Sequence, residues 1–399
     1  MTTKTMKINK YLKKTVKVFL TISVVTLTFN LLFSRNSSST YFHRRVISEY
    51  SVPSKRSVHV DLGYSGNNGS YGNSGSTEKK DDTPLVTSSL TMNTTTMDYT
   101  LETCLEKPKH LIGLRLGNYS HVTKSELVDE YIEMEPGGHL RPQNCKPGQT
   151  VAILIPYRNR SSHLHILLHN LIPFLTRQNV DVTFFVIEQA GNSTFNRGAL
   201  FNVGFLEVEK FHRFDCYILH DVDMIPINDH NLYRCSENPR HFAVAINKHN
   251  YKLHYESYFG GVVGLLREQY LQINGHSNLY IGWGTEDDDL LIRVRNKHLT
   301  MVRYDPLTAR YDMIQHDRDV GNAENPMRLT LRKSAARRQD VEGLNTVTKH
   351  YQVLDMKLET LYTWITVSLD NSGLLETAPA YTMRDISETK ALLQKKSKQ

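Results

Sequence analysis

Four consecutive carboxylates, at positions 286–289, follow a tryptophan that lies between two glycines, Gly282-Trp283-Gly284. Crowded carboxylates raise one another's energy unless a cation, a polar ligand or water is close. An indole beside carboxylates suits a sugar, whose ring face stacks on the aromatic ring while its hydroxyls bond to the oxygens. The alternative is a solvated helix start, where Asp and Glu are favoured. Packing alone gives no reason for four adjacent charges, but this motif by itself leaves both interpretations open.

A second acidic pair, Asp221 and Asp223, directly follows the apolar residues 216–219. Carboxylates two positions apart point the same way from a strand or lie on either side of its end. There they can hold a hard divalent cation and, through it, a diphosphate. A simple turn is the alternative, since Asp is common where strands stop.

Arginines also follow predicted strands. Arg158 and Arg160 come after the apolar run 151–155, and Phe195 and Arg197 lie at a predicted helix start. Arginine binds phosphate oxygens in a bidentate manner, and helix amino termini favour anions. Surface salt bridges are the commoner role of arginine, but the shared placement at strand ends favours phosphate.

The elements that position these residues alternate between strands and helices. The continuous apolar run 151–155 predicts a buried parallel strand, and the leucine spacing in 161–177 predicts an amphipathic helix with a kink or early stop at Pro173. Such alternation predicts an α/β fold with a mixed central sheet flanked by helices and with ligands at the carboxyl ends of the strands. Further strands are predicted at 182–187, 216–219, 242–246, 261–266 and 301–304, and a further helix at 196–210.

The amino-terminal quarter has a different composition. The chain has 399 residues and a net charge of +7, with six lysines among the first seventeen residues. The apolar segment 15–33 predicts a transmembrane signal anchor, with a cytoplasmic tail at 1–14. A cleaved signal peptide is the alternative. Residues 34–100 are rich in Ser, Thr, Asn and Gly, which predicts a flexible stem. Because much of the basic charge lies beside the span, a nucleic-acid partner is disfavoured.

A lumenal location agrees with two further features. Four cysteines suggest two disulfides in an oxidising compartment; three pairings are possible, and sequential pairing closes the shortest loops. Asn-x-Ser/Thr sequons predict a glycoprotein. They begin at Asn36, Asn68, Asn93, Asn118 and Asn192.

The ordered motifs VAILIPYRNR, FNRGALFNVGF, HDVDMIP, YFGGVVGL and GWGTEDDD resemble those of the β-1,4-galactosyltransferase family, over residues 104 to 370. This resemblance implies a single-pass type II Golgi membrane protein with a GT-A glycosyltransferase fold in the lumen. It implies manganese-dependent transfer of galactose, with inversion, from UDP-galactose to the 4-hydroxyl of an acceptor sugar on a glycoprotein or glycolipid. The catalytic domain would span 101–370, and we expect the tail 371–399 to be largely disordered.

The resemblance also implies roles for individual residues. Asp287 would be the catalytic base, with Glu286 and Asp288 binding sugar hydroxyls and Trp283 on a mobile loop; the tract 314–334 would be a second, closing loop. By residue type alone Met313 would be core and His316 an ordinary polar residue, but the resemblance makes them metal ligands together with Asp223. The nucleotide and donor sugar would contact Pro156, Tyr157, Arg158, Arg160, Phe195, Arg197, Asp221, Val222, Lys248 and Tyr258.

Three positions bear on specificity. Tyr258 matches the family residue that favours galactose over N-acetylgalactosamine. Thr285 replaces a usual glycine and would stiffen the Trp283 loop. Leu329 stands where members specific for N-acetylglucosamine have a phenylalanine. Terminal β-N-acetylglucosamine is the expected acceptor, with glucosylceramide or N-acetylgalactosamine transfer as alternatives. A glycoside hydrolase also pairs carboxylates near a tryptophan but needs no diphosphate site. A non-catalytic cell-surface lectin is the alternative from another class.

Overall fold

The computed structural model describes residues 101–317 and 319–398. The predicted cytoplasmic tail, signal anchor and stem, residues 1–14, 15–33 and 34–100, lie outside the described residues. Within the described ranges, none of the helices combines the length and the apolar character needed to cross a membrane.

The described chain contains twelve strands and ten α-helices. The strands are β1 (His139–Leu140), β2 (Thr150–Tyr157), β3 (Asp181–Gln189), β4 (Cys216–His220), β5 (Met224–Pro226), β6 (Arg240–His241), β7 (Ala245–Ile246), β8 (Val262–Leu266), β9 (Val302–Arg303), β10 (Arg310–Met313), β11 (Tyr351–Leu358) and β12 (Thr363–Leu369). The helices are α1 (Lys124–Glu130), α2 (Ser161–Arg177), α3 (Arg197–Val208), α4 (Arg267–Gln272), α5 (Glu286–Asn296), α6 (Arg328–Lys333), α7 (Ala335–Arg338), α8 (Leu344–Val347), α9 (Asn371–Glu376) and α10 (Ala380–Lys396).

The strands form a mixed nine-stranded sheet and a three-stranded sheet. The large sheet has the order β11-β12-β3-β2-β4-β8-β6-β9, with β1 also paired to β3. Its centre is parallel, from β12 through β3 and β2 to β4, whereas β8 runs antiparallel to β4. The small sheet has the order β5-β10-β7. The prediction of a mixed α/β sheet flanked by helices is confirmed.

Both faces of the central strands are buried, which explains their continuous apolar sequence. Along β2, Val151, Ile153 and Ile155 pack on the face covered by α2, while Ala152 and Leu154 pack on the face covered by α3. The amphipathic helix predicted at 161–177 is therefore confirmed as α2. It continues through Pro173 to Arg177, so the early stop is wrong. Buried leucines before and after the proline keep the helix packed on the sheet.

Two other predictions are wrong. The strand expected at 242–246 is shorter and lies in another sheet: β6 ends before it at His241 in the large sheet, and only residues 245–246 form β7, which pairs in parallel with β10 in the small sheet. The tail 371–399, expected to be largely disordered, forms α9 and α10 over most of its length. Its apolar side chains, including Ala378 and Ile386, pack against Leu331 and Leu279. Burial of this stripe outweighs the high charge of the segment.

Both disulfides follow the sequential pairing. Cys104 bonds to Cys145, and Cys216 bonds to Cys235, so that no described cysteine is free. The second disulfide ties the start of β4 to the segment that precedes β6, and β4 leads directly into Asp221.

Candidate active site

The Arg197 side chain joins the two acidic motifs that the sequence singled out. Its Nε donates to Asp221 Oδ1 at 2.6 Å, and its Nη1 donates to Asp287 Oδ1 at 2.7 Å. Nη1 also lies 3.9 Å from Glu286 Oε1. Arg197 is the first residue of α3, where Asn196 Oδ1 accepts from Ala199 N. The fold therefore brings the end of β4, the start of α3 and the start of α5 to one point.

The carboxylates around Arg197 are electrostatically coupled. Burial raises the pKa of Glu286 to about 7, with a further contribution from the neighbouring Asp287 charge. Burial likewise raises the pKa of Asp221 to about 6 and raises the pKa of Asp287, although the Arg197 charge opposes both shifts. The Asp287 side chain is still 26% exposed and so remains accessible to a ligand. Such shifts are typical of groups that exchange protons.

Asp287 lies against Gly260, in the turn before β8. A Cβ at Gly260 would overlap Asp287 Oδ2 and would lie 2.9 Å from Tyr258 Cε2. Only a glycine leaves room there for both side chains. The structure thus places Tyr258, the residue expected to select the donor sugar, directly beside the expected base.

The four carboxylates of α5 have different environments. Glu286 Oε2 accepts from Gly284 N at 3.0 Å, and Asp288 accepts from Tyr255 OH at 2.9 Å and from Arg332 Nη1 at 3.3 Å. Sequence reasoning missed Tyr255 and Arg332, because only the tertiary fold brings them to Asp288.

Asp289 is fully buried and faces away from the other three carboxylates. It accepts from Arg293 Nε at 2.6 Å and from Tyr280 OH at 2.9 Å, and it also pairs with Arg338. Glu342 pairs with the same two arginines. The view that all four carboxylates serve a ligand is therefore wrong for Asp289, which anchors α5. The four-residue spacing from Asp289 to Arg293 is the signal that sequence reasoning could have used.

Two of the three predicted metal ligands, Asp223 and His316, have their side chains in contact although they are far apart in the sequence. His316 Nε2 lies 3.1 Å from Asp223 Oδ2, and Ile314 N donates to Asp223 O at 2.8 Å. Met313, at the end of β10, stands opposite Met224 of β5 in register. The His163 ring, which sequence reasoning missed, lies 5.5 Å from that of His316. Among residues 101–317 and 319–398, no three His, Cys, Asp or Glu side chains form a metal-binding group. The carboxylate and the imidazole of the predicted ligand set are therefore in contact, and the Met313 thioether stays a prediction.

The predicted nucleotide residues border this cluster at the ends of β2 and β3. Arg158 Nη1 donates to Ser193 O at 2.6 Å, and its guanidinium lies over the Phe195 ring at 5.1 Å. Arg158 Nη2 is buried and lies 3.7 Å from Asp319 Oδ2, too far for a hydrogen bond, and it has no hydrogen-bond partner among the described residues. A buried guanidinium nitrogen of this kind can donate to an anionic ligand.

The remaining predicted nucleotide residues lie in three places. Pro156 and Tyr157 are buried at the end of β2, where the Tyr157 ring contacts Trp364 at 4.8 Å, and Arg160 precedes the first residue of α2. Val222 is half-buried between the two aspartates. Lys248 is exposed on a short 3-10 turn, and the adjacent Asn247 Oδ1 accepts from Met313 N at 2.9 Å.

The Trp283 loop packs against the tract predicted to be the second loop. Trp283 N donates to Ala323 O at 2.9 Å, and Asn325 N donates to Trp283 O at 2.9 Å. The Trp283 side chain is 48% exposed. The loop thus presents an indole face next to the acidic start of α5.

Comparison with known proteins gives the family. The profile described as "N-terminal region of glycosyl transferase group 7" matches residues 104–236, and that described as "N-terminal domain of galactosyltransferase" matches residues 240–317. Human β-1,4-galactosyltransferase 3 is 43% identical over 279 residues, which are 69% of this chain and 70% of the relative. The chain belongs to the β-1,4-galactosyltransferase family. The resemblance carried by the sequence motifs is confirmed, and the protein is a glycosyltransferase enzyme.

Other members of the family show its range. A β-N-acetyl-D-glucosaminide β-1,4-N-acetylglucosaminyl-transferase of Lymnaea stagnalis is 51% identical over 214 residues, 53% of this chain and 44% of the relative. A crystal structure of a Drosophila β-1,4-galactosyltransferase 7 mutant, in complex with manganese, UDP-Gal and xylobiose, is 30% identical. It covers 55% of this chain and 94% of its own, with a TM-score of 0.47. The family thus includes relatives named for different donor sugars.

Proposed function

We propose that this protein transfers galactose from UDP-galactose to the 4-hydroxyl of an acceptor sugar, with inversion at the transferred carbon. The observation that carries the proposal is the double contact of Arg197 with Asp221 and Asp287. Through Arg197, Asp287 is linked to Asp221 of the Asp-x-Asp motif, and Asp223 of the same motif contacts His316, which supports these residues as one site. The mixed sheet with its site at the strand ends supports a GT-A type of fold.

In this proposal, the oxygen of the acceptor hydroxyl attacks C1 of galactose, and Asp287 accepts the proton of that hydroxyl. Oδ1 of Asp287 is held by Arg197, and Oδ2 is the oxygen that faces Gly260 and Tyr258. The C1–O bond to UDP breaks in the same displacement, and the bonding electrons leave with the diphosphate. Asp288 and Glu286 bind sugar hydroxyls, and Trp283 covers the sugars and excludes water.

The diphosphate would lie at the strand ends. Arg158, Arg160 and Arg197 supply positive charge there, and Asp223, Met313 and His316 would hold manganese. One carboxylate and one imidazole suit this cation and leave positions open for phosphate oxygens. A bound metal would supply neutralisation of the negative charge that develops on the leaving diphosphate.

Donor choice can be tested at Tyr258. We expect the wild type to prefer UDP-galactose, because the Tyr258 ring fills the space beside Asp287 that an N-acetyl group needs. Tyr258→Leu is expected to raise kcat/KM for UDP-N-acetylgalactosamine relative to UDP-galactose by about 10-fold or more, the discrimination typical of a steric pocket. Competing-donor assays with UDP-galactose, UDP-N-acetylgalactosamine and UDP-N-acetylglucosamine measure the ratio.

Tyr304→Leu is the matched control for this donor test, because Tyr304 accepts from Arg240 in another part of the fold. A wild type that prefers either N-acetylated donor would contradict the galactose assignment. The N-acetylglucosamine arm is included because the Lymnaea relative is named for that sugar.

We also propose terminal β-N-acetylglucosamine as the acceptor. Leu329 is half-exposed on α6, one turn before Arg332, which reaches the acceptor-side carboxylate Asp288. Because Leu329 stands where a phenylalanine is usual, glucosylceramide or another β-linked sugar is the alternative. An array of glycan and glycolipid acceptors tests the choice, and a complete lack of transfer together with sugar binding would instead support a lectin.

We propose a type II Golgi membrane location, with residues 15–33 as the anchor, 34–100 as the stem and the catalytic domain in the lumen. A lumenal domain would be glycosylated, and we expect the glycan at Asn192, which lies in the exposed loop 191–194. At Asn118, by contrast, the side-chain amide contacts His169 Nε2 at 2.8 Å, which a glycan would displace.

The location is tested by glycosidase treatment of the full chain expressed in animal cells. Asn192→Gln is expected to remove one glycan-dependent mobility step, whereas Asn118→Gln leaves the pattern unchanged. An unaltered pattern in the Asn192→Gln variant would count against glycosylation at that position. An unglycosylated wild type would count against the lumenal location.

A further inference from the structure

We infer that Thr285 is a positioning residue that fixes the Trp283 loop and the acidic start of α5 against the segment 319–328. The inference rests on the proposed function, since it assigns these elements to the transfer site. Thr285 immediately precedes Glu286 and adopts a left-handed backbone, with φ of 62° and ψ of 9°. Branching at Cβ makes this conformation rare for threonine, so the position is one where glycine would be unstrained.

The threonine side chain makes a contact that glycine cannot make. Its hydroxyl donates to Arg328 O at 2.9 Å, which ties the first residue before α5 to the first residue of α6. This hydrogen bond helps to offset the backbone strain, because it gives the half-buried hydroxyl a fixed partner on a neighbouring helix. The strained conformation is thus held by a specific bond across 43 residues of sequence.

Backbone hydrogen bonds also join the Trp283 loop to its neighbours. Gly282 N donates to Phe195 O at 2.8 Å, and Phe195 N donates to Gly321 O at 2.9 Å. Trp283 forms an isolated parallel β-bridge with Glu324. The Thr285 hydroxyl adds a side-chain bond to this set of main-chain bonds, and it belongs to the residue that directly precedes Glu286. Its loss would therefore loosen the loop at the end that adjoins the catalytic groups.

Two glycines make the loop dependent on this bond. Gly282 and Gly284 have φ values of 91° and 125°, so both occupy conformations that glycine samples freely. Thr285 is the first residue with a side chain after Gly284 and the last before the helix. A residue that restricts the backbone here limits the positions that the indole of Trp283 can take relative to Asp287.

Three substitutions of Thr285 distinguish the effect of its hydroxyl group from the effect of its branched side-chain shape. Thr285→Ser keeps the hydroxyl, Thr285→Val keeps the shape but loses the bond, and Thr285→Gly loses both. For Thr285→Val we expect kcat/KM for the acceptor to fall about 5-fold to 10-fold, the effect of one hydrogen bond, with KM for UDP-galactose unchanged. The ratio of UDP-galactose hydrolysis to transfer should rise, because a looser loop admits water. Thr285→Ser should stay within about 2-fold of the wild type, the scatter expected of a conservative change.

A spectroscopic measurement decides the positioning role without relying on activity. The chain has two tryptophans, so a Trp364→Phe background leaves Trp283 as the sole indole. In that background, we expect acrylamide quenching of Trp283 fluorescence to increase in Thr285→Val and more so in Thr285→Gly. Thr308→Val is the matched control, since the Thr308 hydroxyl donates only to Asp305, in a surface turn.

The inference is overturned if Thr285→Val and Thr285→Ser give the same quenching and the same ratio of hydrolysis to transfer at equal thermal stability. Failure of the proposed function is a separate result. If the wild type transfers a sugar other than galactose, the donor assignment is lost, while the quenching series still decides whether Thr285 holds the loop.

Discussion

Asp287→Asn is expected to lower kcat/KM for galactosyl transfer by at least about 100-fold, the usual contribution of a general base, while UDP binding is retained. Asparagine preserves the size of the side chain, and its carbonyl oxygen can still accept from Arg197 Nη1 at the position of Oδ1. The substitution therefore removes the ability to take a proton and leaves the packing beside Gly260 in place. Initial-rate assays and calorimetric titration of UDP measure the two quantities.

Asp340→Asn is the control for this substitution, because Asp340 is a surface carboxylate paired with Lys297. Full activity in Asp287→Asn would discard the assignment of the base. Loss in Glu286→Gln but not in Asp287→Asn would move the role to Glu286, whose pKa burial raises to about 7.

The pH dependence follows from the same environment. Burial raises the pKa of Asp287, so its carboxyl group becomes protonated at a higher pH than an ordinary aspartate as the pH falls. A protonated carboxyl group cannot accept the acceptor proton. The acid limb of the kcat/KM profile should therefore lie above the normal titration range of aspartate.

The parts of the fold that the sequence predicted well are those in which local pattern and burial agree. The run 151–155 is apolar on both faces because β2 lies between α2 and α3, and the leucine period of α2 records its contact with that sheet. The segment 242–246 is equally apolar, yet it leaves one sheet and enters another after His241. No local property of a buried segment specifies which sheet it joins.

In the candidate site, too, the sequence predicts what depends on local motifs and misses what depends on the tertiary fold. Order and spacing of the motifs predict Asp223, Asp287 and Trp283 as site residues, but composition could not separate Asp289 from its neighbours. Asp289 differs because α5 turns it towards Arg293 and Arg338, whereas Asp287 contacts Arg197 and Asp288 contacts Tyr255 and Arg332. Helical geometry requires such a division, since four consecutive residues cannot share one face. The tail was misjudged because its apolar residues are sparse and their partner, α6, lies far away in sequence.

Transfer by this protein should depend on manganese. Treatment with a chelator should abolish transfer, and added Mn²⁺ should restore it. Asp223→Ala is expected to reduce kcat by about 100-fold or more, the loss seen when a group that stabilises charge in the transition state is removed. His316→Ala should raise the Mn²⁺ concentration needed for half-maximal activity, because it removes the nitrogen donor that lies beside Asp223. Activity is measured as a function of Mn²⁺ concentration for each variant.

Met313 provides the sharpest form of this test, because its cross-strand partner is also a methionine. Met313→Leu and Met224→Leu make the same change in chemistry, and both replacements approximately conserve side-chain volume. If the Met313 thioether is a ligand, only Met313→Leu should shift the Mn²⁺ dependence, since Met224 is 2% exposed and packs in the core. Equal behaviour of the two variants would show that Met313 is a packing residue, and the metal would then be held by Asp223, His316 and the donor alone.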